Sequence, residues 1–207
     1  MPTYKLHYFQ AKGRVEMIRW IFIQAGVPYE DIRYTQEEWK EFKPKTPFGV
    51  MPVLDIDGKF YGGTMPIARY VAEQHGLAGS NPVENFELAT ISDVIEDLVI
   101  RLMIFFYEKD EKKKEEIKKE VNETHVPKYF GILNKRITDN GSSEGWIFGQ
   151  KVTYVDLYLT LIADTLVTFG GGAQVLEPFP AIVKLKATVE ALPSIAKWIQ
   201  ERPKTEH

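Results

Sequence analysis

The chain has 207 residues, a formal net charge of -3, 44% hydrophobic residues and no cysteine. The missing cysteine excludes disulfides, zinc–thiolate sites, a cysteine nucleophile and Cys-x-x-Cys redox chemistry. The slightly acidic balance argues against a nucleic-acid partner, which favours a clearly basic surface. No apolar run reaches the roughly 18 residues that a membrane span needs.

Taken in order, MPTYKLHYFQ lacks a long apolar core and does not read as a signal peptide. Within it, TYKLHYF (3–9) alternates and is β-prone, which predicts a strand. RVEMIRWIFIQAG places Val15, Met17, Ile18, Ile21 and Phe22 at helical spacing and stops at Gly26. YEDIRY (29–34) reads as a second strand and EEWKEF (37–42) as a short helix. PVLDI (52–56), Asp57-Gly58 and KFY form a predicted hairpin, and TMPIARYVAEQHG a helix. This β-α-β-α-β-β-α order is thioredoxin-like.

The composition shifts at LAGSNPVE (77–84), and everything beyond it reads helical. Helices are predicted over 84–109 and over 110–137, the latter with a charged middle. GSSEG (141–145) is a loop. A buried helix follows, with Thr153 and Asp156 as its capping box. Gly170 to Gly172 break the pattern before two final helices. The fold class is therefore an α/β N-terminal thioredoxin-like domain plus an all-α C-terminal helical domain. The boundaries read as residues 1–78, a linker over 79–83, and 84–207.

Several motifs carry chemistry. In FYGGTMPIARY (60–70) a glycine pair leads into Thr64 and a helix start. A helix N-terminus offers free N–H groups and a positive dipole end, so the stretch is either a simple cap or an anion site. Pro66 falls in the first turn, where a missing N–H costs little. Pro52 in VMPVL opens a strand and admits either a cis or a trans peptide bond. Trp39 and Lys43 are four apart and share a helix face, as do Asp93, Glu96 and Asp97. The run EKDEKKKEEIKKE (108–120) mixes its signs and pairs Lys112 with Glu116 and Glu115 with Lys119, so it reads as a solvated face. His7, His75, His125 and His207 show no ligand spacing, and FGGGAQ (169–174) lacks the strand that a nucleotide loop requires.

Together, YKLHYF…GRVEMIRWIF, EWKEFKPKTPFGVMPVLDIDG, IARYVAEQHGLAG, GQKVTYVDLYL and LPSIAKWIQERPKTEH carry a resemblance. They resemble the sigma class of the cytosolic glutathione transferases, the class that includes prostaglandin D synthases and lens S-crystallins. Residues 108–125 match least well. The resemblance implies a cytoplasmic homodimer that conjugates glutathione to hydrophobic electrophiles, with lipid-hydroperoxide reduction and prostaglandin isomerisation as further activities. It implies glutathione as co-substrate, no prosthetic group, no required metal and no membrane partner.

Residue by residue, Tyr8 matches the catalytic tyrosine and Arg14 the arginine that supports it. A tyrosine has an ordinary pKa of about 10, so its O–H stays available to donate to a thiolate. Trp39 and Lys43 match the pair holding the glycine end of glutathione. Met51, beside Pro52, matches the backbone that pairs with the cysteinyl part as an added strand. Thr64 matches the anchor of the γ-glutamyl carboxylate. Asp97 matches the aspartate that reaches the ammonium of the partner subunit's glutathione. Phe9, Val99, Met103 and Tyr107 are expected to line a hydrophobic pocket between the Tyr8 loop and the long helix, with ordinary packing as the competing reading. The acidic cluster attracts a divalent cation in some relatives.

Two positions depart from the pattern. Gly63 stands where a glutathione-binding glutamine is usual, and Val50, often polar in relatives, offers only its backbone. A lost hydrogen bond of that kind costs roughly 0.5–1.5 kcal/mol. The departures keep a second reading open: a non-catalytic structural or binding relative like the S-crystallins.

Overall fold

A computed structural model describes residues 2–170 and 172–205. Gly171 and His207, both named above, lie outside the described residues. The chain forms two compact units, Met1–Ala78 with Leu192–His207, and Gly79–Ala191.

The first unit holds a four-stranded sheet of β1 (Tyr4–Phe9), β2 (Glu30–Tyr34), β3 (Val53–Ile56) and β4 (Lys59–Gly62), in the order β2-β1-β3-β4. β1 runs parallel to β2 and antiparallel to β3, and β3 antiparallel to β4. Strand alternation buries Tyr4 and Leu6 of β1. The helices are α1 (Glu16–Ala25), α2 (Gln36–Phe42), α3 (Thr64–Gln74) and α9 (Pro193–Glu201). This is the thioredoxin-like arrangement. The final helix α9 belongs to this unit rather than to the helical one.

Helix α1 buries Met17, Ile18, Trp20, Ile21 and Phe22 and ends at Gly26, whose φ of 66° supplies the left-handed C-cap. A 3-10 turn, Gly13–Val15, leads into it. Helix α2 starts at Thr35, whose hydroxyl accepts from the Glu38 N–H while the Glu38 carboxylate accepts from the Thr35 N–H.

The second unit is helical: α4 (Pro82–Tyr107), α5 (Glu111–Glu120), α6 (Val126–Asn140), α7 (Tyr154–Gly170) and α8 (Pro180–Glu190). The single helix expected over 110–137 is divided. A π-turn over Val121–His125 separates α5 from α6. Pro127, near the start of α6, has no N–H for the preceding turn, and its ring crowds the carbonyl four residues back. A widened turn accommodates both.

At α7, the expected Thr153–Asp156 pairing is present: the Asp156 carboxylate accepts from the Thr153 N–H at 2.7 Å and from the Thr153 hydroxyl at 2.7 Å. It also accepts from the Ile147 N–H at 2.8 Å, so one fully buried side chain ties the preceding loop to the helix start. Burial pushes this carboxyl up to about 6, against the pull of those donors. Among the described residues no helix is long and apolar enough to cross a membrane.

Candidate active site

The sheet register gathers the first set of residues. His7 of β1 pairs with Val53 of β3, and Val53 pairs with Gly62 of β4. The next residue along each strand therefore emerges at one end of the sheet: Tyr8 after His7, Pro52 before Val53, and Gly63 after Gly62. Because β2 is parallel to β1, its end at Tyr34 lies at this same edge and launches α2 with Trp39.

Tyr8 is half-buried, and its ring meets Phe9 at 5.6 Å between centroids. Phe9 meets the Trp39 indole nearly edge-on at 5.8 Å. Gly13 packs against the Tyr8 hydroxyl so closely that a Cβ at position 13 would fall 2.7 Å from its oxygen. The Gly13 φ of 47° is also one that side chains disfavour. Arg14 follows in the same 3-10 turn, half-buried.

Lys43 is exposed at the C-cap of α2, and its carbonyl accepts from the Thr46 hydroxyl at 2.8 Å. That hydroxyl in turn accepts from the Gly49 N–H at 3.0 Å. The Lys43 stem runs along Gly49, where a Cβ would lie 3.4 Å from Cε. Val50 is exposed, Met51 half-buried and Pro52 buried, and the Met51–Pro52 bond is cis. Phe48 stands exposed with its ring over Gly62, where a Cβ would come within 3.0 Å of it.

The glycine pair thus has two separate causes. Gly62 leaves room for Phe48, and Gly63 is the N-cap of α3 at φ 100°, ψ 125°, a conformation that L side chains rarely adopt. Gly63 gives no side-chain cap, and its carbonyl accepts the first helical bond, from the Ile67 N–H at 3.1 Å. Thr64 begins α3 and is 8% exposed.

His7 points to the other face of the sheet from Tyr8. Its ring stacks on Phe42 at 4.8 Å, and Nδ1 hydrogen-bonds the Tyr34 hydroxyl at 2.9 Å. Burial holds its pKa below the ordinary histidine value, so the side chain beneath the site is neutral at pH 7.

The remaining expected residues lie in the second unit, apart from Phe9. On α4, Val99 is buried, Met103 half-buried and Tyr107 exposed. Asp93 and Asp97 are exposed, while Glu96 accepts a hydrogen bond from the Tyr158 hydroxyl and is drawn into the helix packing. No group of three or more potential metal ligands occurs among the described residues.

One further cluster has no counterpart among the sequence motifs. Glu16, 2% exposed, accepts from the Trp20 indole at 3.1 Å, the Trp198 indole at 2.8 Å, Arg19 at 3.1 Å and Arg202 at 3.2 Å. Burial alone would raise this carboxyl, but Trp198, Arg19 and Arg202 together hold it below the usual carboxylate range. A glutamate and an arginine three apart on an otherwise apolar helix were the signal available in the sequence.

Comparison with known proteins follows the same division. The glutathione S-transferase N-terminal domain family matches residues 14–81, and the C-terminal domain family residues 96–202. Hematopoietic prostaglandin D synthase of Gallus gallus is 38% identical over 206 residues, 99% of each chain. Glutathione S-transferase 1 of Ascaris suum is 38% identical over 214 residues, again 99% of each chain. The solved prostaglandin synthase D of Nilaparvata lugens superposes with a TM-score of 0.89 at 35% identity, covering 99% of this chain and 100% of that one. Full-length similarity at this level, on a thioredoxin-like unit with its helical companion, makes the chain a member of the glutathione S-transferase family.

Proposed function

We propose that the protein transfers glutathione to hydrophobic electrophiles, with Tyr8 as the group that keeps the thiol ionised. The observation that carries the reading is the convergence of Tyr8, the Met51–Pro52 segment and the α3 N-terminus at one end of the sheet. An extended tripeptide there meets the backbone of Met51 as an added strand. The free N–H groups at Thr64 receive its γ-glutamyl carboxylate. Trp39 and Lys43 donate to the glycine carboxylate, and Arg14 supports Tyr8.

The thiol proton leaves to solvent. The Tyr8 O–H donates to the resulting thiolate, which favours the charged form. The sulfur pair then forms the S–C bond, and the leaving group departs with the bonding pair, or the π bond shifts in an addition. The first unit acts as the glutathione-binding domain, and α4 of the second unit carries the hydrophobic pocket, with Val99, Met103 and Tyr107 in its lining. Reduction of lipid hydroperoxides and isomerisation of prostaglandin-type endoperoxides use the same thiolate. The cytosolic location is carried over from the family resemblance, and cell fractionation tests it.

The protein works as a homodimer in this reading, with Asp97 serving the partner subunit's glutathione. Val83 and Phe86, each 73% exposed, rim a groove of about 430 Å³ between α4 and α6, a face that association would cover. A monomer in sedimentation analysis would remove this part.

Tyr8→Phe is the decisive variant. It deletes one charge-assisted hydrogen bond, which predicts a fall in kcat of about ten- to hundredfold with glutathione affinity retained. Unchanged turnover in an aryl-halide assay would sink the assignment. Failure of the wild type to bind millimolar glutathione would favour the non-catalytic reading that Gly63 keeps in play.

A further inference from the structure

The geometry points to the C-terminal helix as a positioning element for Tyr8, working through the Glu16 carboxylate. This inference rests on the proposed role of Tyr8. The contacts form one continuous path within the first unit. Trp198 and Arg202, from α9 and the residue after it, both donate to Glu16 Oε1, at 2.8 and 3.2 Å. The other oxygen, Oε2, accepts from Arg19 Nη1 at 3.1 Å.

The same Arg19 nitrogen donates to the carbonyl of Ala11 at 2.8 Å, and Arg19 Nε donates to Asp31 at 3.2 Å. Asp31 is gripped from its far side by Arg33 at 2.8 Å. Ala11 sits in the loop between β1 and α1, where its own N–H donates to the Phe9 carbonyl at 2.7 Å. Two residues on is Gly13, the backbone shelf against the Tyr8 hydroxyl.

A fully buried arginine has few other ways to be satisfied. Arg19 is 0% exposed, so Glu16 and Asp31 together hold its charge, and the orientation of Glu16 is set by what occupies Oε1. Removing the α9 donors leaves Glu16 with Trp20 and Arg19 alone. Arg19 then no longer faces a carboxylate pinned in place, and the Ala11 carbonyl loses its fixed donor. Tyr8 and its shelf move relative to each other by fractions of an ångström, enough to matter for a hydrogen bond to a thiolate. The α9 residues touch neither substrate; they act through the loop.

The test uses the full-length protein and three variants: Trp198→Phe, Arg202→Met and their combination. Circular dichroism and thermal melting establish that each is folded. Ultraviolet absorbance of the thiolate, followed against pH in the glutathione complex, reads the environment of the sulfur directly. The double variant should move the ionisation midpoint upward and lower kcat about tenfold, while KM for glutathione stays within about twofold. Arg202→Lys, which returns a donor, should recover part of the loss. If the double variant is too unstable to assay, Arg202→Met alone should show the same shifts in smaller measure.

An unmoved thiol titration in a folded variant overturns the inference, and so does a rise in KM that accounts for the whole loss. Tyr8→Phe is measured alongside. If it shifts the titration and the α9 variants do not, the positioning role fails while the tyrosine assignment stands. If Tyr8→Phe itself shifts nothing, both fail.

Discussion

A single backbone angle explains the departure at residue 63. Gly63 sits at φ 100°, and a Cβ there would press on the Pro66 ring at 3.3 Å. Placing a non-glycine residue in such a conformation costs of order 1–3 kcal/mol, whereas the glutamine bond it would restore is worth about 0.5–1.5 kcal/mol. Gly63→Gln is therefore expected to melt earlier and to bind glutathione up to about tenfold tighter; calorimetric melting beside a glutathione titration checks both. The sequence showed the substitution but not the angle, which only the turn from β4 into α3 reveals. Gly13→Ala meets a harder obstacle, since its methyl group would collide with the Tyr8 hydroxyl. Here kcat should drop about tenfold or more with glutathione KM little changed, as stopped-flow conjugation would show. The place of Tyr8 near the end of β1 was legible from strand alternation. Gly13 was not, because a glycine leaves no trace of the contact it permits.

At the level of elements, local rules succeeded where the partners are close in sequence. The Thr153–Asp156 pairing was readable from its spacing, and so were the buried apolar positions Met17, Ile18, Ile21 and Phe22 of α1. What spacing did not convey is that Asp156 also holds the Ile147 N–H. Asp156→Ala strands buried donors and opens a cavity, so a loss of about 3 kcal/mol or more is expected in urea unfolding. The division between α5 and α6 escapes a pattern reading because residues 110–130 hold no glycine and only one proline to mark a break. Pro127 was the contrary signal: one missing N–H outweighed a favourable pattern.

Across the whole molecule, the fold class followed from element order, and the missing cysteine excluded Cys-x-x-Cys redox chemistry. The Glu16 cluster joins residues more than 180 positions apart, a pairing no local pattern encodes. It also sets a pH response. The folded carboxyl titrates below its ordinary value near 4.5. Its contribution is thus complete above that value and is lost as pH falls through the lower, folded-state pKa. Glu16→Gln should accordingly lower the melting temperature at pH 7, with the gap to wild type narrowing below about pH 4. A constant gap across that range would contradict the assignment.

The return of α9 to the first unit has a consequence for biosynthesis. During translation, residues 1–78 leave the ribosome long before Trp198 and Arg202 exist. Until then Glu16 has only its neighbours on α1, and the loop beneath Tyr8 lacks its remote support. Residues 79–191 contain all of their own unit and are available to fold in the interval. The first unit is begun first and finished last, so a premature stop before Trp198 would take the remote support away from the Ala11–Gly13 loop.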